Sequence, residues 1–138
     1  MPTPLINYLM IRSADPVRVR DFYAALGLHF VTERHRSGRE HYSCDLGSMV
    51  FAIQPAGIDG AVSDNSMLGF QVASLERVLR AVPFAGGRIV VQPQEDGPVV
   101  RAIVLDPDGR KVEVTQSDPA FSAAPYWARG AFPALESA

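Results

Sequence analysis

The feature that most restricts what this chain can fold into is that it repeats itself once. Displaced by 59 positions, Leu9 falls on Leu68, Ala14 on Ala73, Arg18 on Arg77, Val19 on Val78, Gly27 on Gly86 and Val31 on Val90. Identities spread over a whole strand–helix–strand stretch point to two packed copies of one supersecondary unit.

Local patterns give each copy the same element order. Residues 6–13 read as a strand, and Asp15-Pro16 supplies an N-cap and a proline at the first helical position. A helix is predicted over 16–26, with Val19, Phe22, Tyr23 and Leu26 on one face and Gly27 as its stop. Strands near 28–35, 40–46 and 49–55 complete a βαβββ module. The second copy reads as a strand at 67–73, a helix at 75–84 and strands near 88–93, 99–105 and 111–116, the last entered through the turn Asp106-Pro107-Asp108-Gly109. The expected fold class is α+β: two βαβββ modules, about 4–56 and 64–117, form curved mixed sheets with helices outside and a concave ligand cup. One domain is expected over 1–138, with 118–138 as a tail.

Strand side chains alternate, and the more apolar face of each strand should lie under the helices. That assigns Leu9, Ile11, Phe51, Ile53, Leu68, Phe70, Val72, Val112 and Val114 to the interior. Turned toward the cup are Tyr8, Met10 and Arg12; Val50, Ala52 and Gln54; Met67, Gly69 and Gln71; and Lys111, Glu113 and Thr115. So mixed a wall suits a partly polar organic molecule better than a lipid. In the tail, Trp127 is a candidate cap over that ligand, though packing of the tail on its own domain or on a partner chain is the plainer reading.

The net charge of −2 leaves no basic footprint for nucleic acid or an anionic membrane, and no apolar run reaches the ~20 residues of a membrane span. Cys44 is the single cysteine, so no internal disulfide forms; with no leader-like N-terminus, the setting expected is cytoplasmic. Cys44 reads as a buried structural thiol. Of the three histidines, His35 and His41 flank Arg36-Ser37-Gly38-Arg39 and read as a solvated hairpin, and neither they nor His29 signal a metal site. Glu113 is the only candidate general base; its other readings are a hydrogen-bond acceptor for a ligand or an ion-pair partner of Arg12.

Two short motifs carry a resemblance over about residues 4–117: Asp21-Phe22-Tyr23 with Leu26-Gly27, and Asp106-Pro107-Asp108-Gly109-Arg110-Lys111-Val112-Glu113. With the repeat, they make the chain resemble the vicinal oxygen chelate superfamily, which includes glyoxalase I, extradiol dioxygenases and bleomycin-type resistance proteins. In its metal-dependent members, four His or Glu side chains hold an ion in the cup. By the resemblance those positions are Tyr8, Ala52, Met67 and Glu113, of which only Glu113 matches. Alanine has no donor, a thioether suits hard or borderline ions poorly, and a tyrosine would first have to lose its proton.

The departures resemble the metal-free, drug-binding branch. They imply a non-enzymatic small-molecule binding protein that needs no cofactor and pairs as a homodimer, with Tyr8, Arg12, Gln54, Met67, Gln71, Glu113 and Trp127 at the ligand. The alternative is a lyase or isomerase of the glyoxalase type with a rearranged metal site.

Overall fold

The computed structural model describes residues 3–34, 38–57, 59–63 and 65–117. The first module runs β1 (Tyr8–Ser13), α1 (Pro16–Ala25), β2 (Val31–Glu33), β3 (His41–Asp45) and β4 (Val50–Pro55). The second runs β5 (Met67–Gln71), α2 (Leu75–Ala81), a 3-10 turn (Val82–Ala85), β6 (Arg88–Asp96), β7 (Val99–Leu105) and β8 (Lys111–Ser117). Each module builds a four-stranded mixed sheet, ordered β1-β4-β3-β2 and β5-β8-β7-β6. In each, the crossover joins two parallel strands and the remaining pairs are antiparallel.

The repeat extends to the helix caps. The Asp15 carboxylate accepts from the Arg18 amide at 3.2 Å, and Ser74, 59 residues on, accepts from the Arg77 amide at 3.2 Å. Each cap satisfies one of the amides that a helix start leaves without an internal partner.

α1 packs on β1, β3 and β4 and against the 3-10 turn of the other module, while α2 lies on β8. The apolar faces of both modules merge into one cluster that includes Ile11, Val19, Phe22, Tyr23, Phe51, Ile53, Val78, Val112 and Val114. Burying a side chain of this size contributes roughly 1.5–3 kcal/mol. The Tyr23 ring stands at its centre, with centroids 5.2 Å from Phe51 and 5.7 Å from Phe70, one ring from each module's sheet.

Three expectations need correction. β2 is only three residues long rather than spanning 28–35. α2 stops at Ala81 instead of 84, because Pro83 lacks the amide an α-helix would need and opens a 3-10 turn, closed by Gly86 at φ +87°. Leu9, assigned to the interior, is 37% exposed: it sits near the start of β1, a strand whose one ladder partner is β4.

Candidate functional site

The cup-facing residues of the first sheet fall into rows set by the strand register. Met10 lies beside Ala52 and Ala52 beside Ser43; Arg12 lies beside Gln54. Extending the Tyr42–Ile53 register by one residue brings His41 level with Gln54, and His41 pairs with Glu33 of β2. A row of Arg12, Gln54, His41 and Glu33 therefore crosses the sheet on the face away from α1.

At the Arg12 end this row borders a cavity of about 420 Å³, lined by Arg12, Gly38, Arg39, His41, Gln54 and the backbone from Pro55 to Gly57. The Arg12 Nη1 donates to the Pro55 carbonyl at 3.1 Å and the Arg39 Nη1 to the Ala56 carbonyl at 3.3 Å. Glu33 braces the wall behind them. Its carboxylate accepts from the Ser43 hydroxyl and lies 3.4 Å from His41 Nε2. His41 is thus a buried strand residue next to a carboxylate, which corrects its reading as part of a solvated hairpin. His35 lies outside the described residues, and His29 is exposed. Cys44 is buried as a free thiol, on the face it shares with Phe51.

The backbone of Arg12 is held from the connecting segment and from the second module. Its amide donates to Ser63 Oγ at 3.0 Å, and its carbonyl accepts from the Ser63 amide at 3.2 Å and from Arg110 Nη2 at 3.0 Å. Arg110 also donates from Nε to the Ser63 carbonyl at 2.9 Å and pairs with Asp106 through Nη1. Asp106 in turn accepts the Tyr23 hydroxyl at 2.7 Å. Burial, with the neighbouring Asp106 carboxylate adding to it, pushes the Tyr23 hydroxyl far above the usual phenol range. Burial alone would lower the Arg110 pKa, but Asp106 and Tyr23 more than offset this and raise it, so the guanidinium stays charged.

The other expected site residues are dispersed. Tyr8 and Met67 are 51% and 45% exposed, and Gln71 is exposed as well. Glu113 is half-buried and flanked by Gly69 and Ile103. Among the described residues it makes no ion pair with Arg12, because the Arg12 guanidinium turns to Pro55 within its own module. Trp127 lies outside the described residues. Of the six residues named from sequence that are described, Arg12 and Gln54 line the cavity; Arg39 and His41 were missed as its partners. The alternation rule, applied to β3 as to its neighbours, would have turned His41 and Ser43 to the cup.

The second sheet offers a counterpart row of Gln71, Thr115 and Arg101. There the cation is already matched, since buried Arg101 pairs with Asp96. A different hollow, of about 550 Å³, lies against α2 between Leu75, Leu79, Pro93 and Val100. It is chiefly apolar, and the amide oxygen of its Gln116 already accepts from the Leu75 amide at 2.7 Å. With that amide engaged and Glu76 paired with Arg80, it offers fewer unengaged polar groups to a guest than the cavity beside Arg12.

The donor set at the family's metal positions does not suit a divalent ion. Ala52 is 1% exposed and has no donor, Met67 presents a thioether, and Tyr8 stands half in solvent. Among the described residues no three His, Cys, Asp or Glu side chains gather where they could hold a metal. No helix of the described residues is long and apolar enough to cross a membrane.

No curated protein matches the chain. Among solved structures it is similar to a glyoxalase/bleomycin resistance protein from Albidiferax ferrireducens T118, with 23% identity, a TM-score of 0.64 and coverage of 82% of this chain and 98% of that one. It is also similar to TioX from Micromonospora sp. ML1, at 19% identity and TM-score 0.61 over 83% of this chain and all of that one. TnmS3, an antibiotic binding protein from Streptomyces sp. CB03234, shares 12% identity and a TM-score of 0.64, with 86% of this chain and 99% of that one covered. At these identities the likeness is one of fold. The family assignment comes from the sequence model that matches residues 5–114, by which the chain belongs to the Glyoxalase/Bleomycin resistance protein/Dioxygenase superfamily.

Proposed function

We propose that the protein is a metal-independent small-molecule binding protein of the antibiotic-sequestering kind. The observation that carries this reading is the exchange of chemistry on the cup face. Where metal-dependent relatives would grip an ion stands the buried, donorless Ala52, and the polar groups Arg12, Gln54 and His41 converge instead on a cavity of about 420 Å³. A pocket with a few convergent polar groups among apolar neighbours is the usual form of an organic-ligand site. The fold likeness to TnmS3, an antibiotic binding protein, supports the same reading.

The working form is a homodimer. Leu5, Ile6, Tyr8, Leu9 and Met67 expose apolar surface on or near β1 and β5, and a two-fold partner would cover it. A cytoplasmic setting fits the free Cys44. Nucleic acid is not the partner, given the net charge of −2.

Thermal shift against a panel of aromatic and glycopeptide antibiotics tests the proposal. A ligand at 100 times its Kd should add about 2.7 kcal/mol to stability. A panel without a single shift would remove its main support. Elemental analysis of the purified protein tests the competing enzyme: stoichiometric Ni, Zn, Mn or Fe bonded at Glu113 would replace the binding protein with a glyoxalase-type lyase or isomerase.

A further inference from the structure

The geometry points to an anion-binding subsite at the module-one end of the cup: we propose that Arg12 and Arg39, beside His41, take a carboxylate or phosphoryl group of the ligand. This rests on the binding-protein reading and adds to it the charge of the ligand.

Four arginines of the described chain are buried or half-buried: Arg12, Arg20, Arg101 and Arg110. Three of them pair with an aspartate, namely Asp21, Asp96 and Asp106. Arg12 makes no ion pair among the described residues, and it borders the cavity of about 420 Å³. A cation withdrawn from water without a counter-charge is costly, which favours an anionic guest. The pseudo-symmetric row in the second module provides an internal comparison, because there the buried Arg101 is already matched by Asp96.

A second cation converges on the same point. Arg12 and Arg39 are tied to consecutive carbonyls, Pro55 and Ala56, at the end of β4, and each spends only Nη1 on that contact. The other guanidinium donors remain for oxygen atoms of a guest, a planar fork well matched to carboxylate or phosphate. Among the described residues no Asp or Glu lines the cavity. The nearest acid of the row, Glu33, is occupied by Ser43 and His41 and fixes the imidazole at the cavity wall. Arg12 is itself held through its backbone by Ser63 and Arg110, so the subsite is built in advance.

Amide-resolved NMR titration of the full chain with benzoate, phenyl phosphate and benzamide tests the assignment. Benzoate or phenyl phosphate should move the resonances of Arg39, His41 and Gln54 and bind at least about ten-fold more tightly than uncharged benzamide. The tighter of the two acids identifies whether the guest group is a carboxylate or a phosphoryl. Arg39→Gln, an exposed change that spares the core, and Arg12→Gln should each weaken acid binding about ten-fold, and Arg12→Lys should restore part of it. Benzamide binding as tightly as benzoate would overturn the anion subsite while leaving the binding-protein reading intact. Absence of acid binding at millimolar concentration, or undiminished binding in Arg39→Gln and Arg12→Gln, would overturn it too. The antibiotic panel then judges the parent reading separately.

Discussion

The Tyr23 hydroxyl donates to the Asp106 carboxylate at 2.7 Å, joining two residues 83 positions apart in the chain. Tyr23 ends the Asp-Phe-Tyr segment of α1, and Asp106 opens the Asp-Pro-Asp-Gly turn before β8. The two motifs are therefore halves of one contact. Through Arg110 that contact continues to the carbonyl of Arg12 at the cavity.

Tyr23→Phe removes the hydroxyl and leaves the ring packing of the core in place. A buried hydrogen bond to a charged acceptor is worth about 1.5–3 kcal/mol, so the variant should unfold at lower urea concentration with an unchanged m-value. An unchanged midpoint would mean that the bond contributes nothing net.

Alkaline stability should carry the signature of the same hydroxyl. Its pKa is raised in the folded protein, whereas in the unfolded chain a tyrosine ionises near 10. Below about pH 10 both states keep the proton and the contribution is fully present. Above it the unfolded state releases the proton first, so stability falls by about 1.4 kcal/mol per pH unit. Urea denaturation between pH 9 and about 11.5 should show this component in the parent protein and lack it in Tyr23→Phe.

Arg110→Met strands the buried Asp106 carboxylate without its cation. Breaking a buried pair from one side costs about 3–5 kcal/mol. Replacing both partners, as Asp106→Asn with Arg110→Met, should cost less than the single change at Arg110. Calorimetric or urea midpoints for the two variants and the parent decide it, and a double variant no better than the single one would contradict the pairing.

Gly87→Ala tests the seam between the modules. An added Cβ would stand 2.5 Å from the Phe22 ring and 2.6 Å from the Leu105 carbonyl oxygen. The carbonyl is backbone and cannot swing aside, so an overpacking cost of about 1–3 kcal/mol is expected. At roughly 4 °C per kcal/mol for a chain of this size, the loss is readable in a melting curve. A variant melting with the parent would place slack at this contact.

Much of the fold was legible because repetition and periodicity are local signals. The 59-residue offset located both helices, and the alternation of Phe51 with Ile53 and of Val112 with Val114 identified the buried faces. Leu9 escaped that rule because its exposure depends on which strands neighbour β1, a property of the assembled sheet. The site was less legible. Arg12 and Gln54 followed from alternation, but Arg39 joins them only through the path of a hairpin, and the bond of Glu33 to Ser43 depends on a register that no spacing in the chain reveals. Pro83 was a readable stop for α2 that its apolar pattern outweighed.

The two four-stranded sheets have no backbone ladder between them: β1 pairs only with β4, and β5 only with β8. Their main polar stitch lies at Arg12, Ser63 and Arg110, toward the end of β1, while Tyr8 at its beginning is half exposed. A molecule fastened at one end of an otherwise unladdered seam has an aperture set by side-chain packing, which costs less to adjust than a row of amide bonds. Among the described residues, the cavity beside Arg12 is lined by positions within 12–57 alone and does not cross that seam, so a shift of one sheet against the other would leave its walls together.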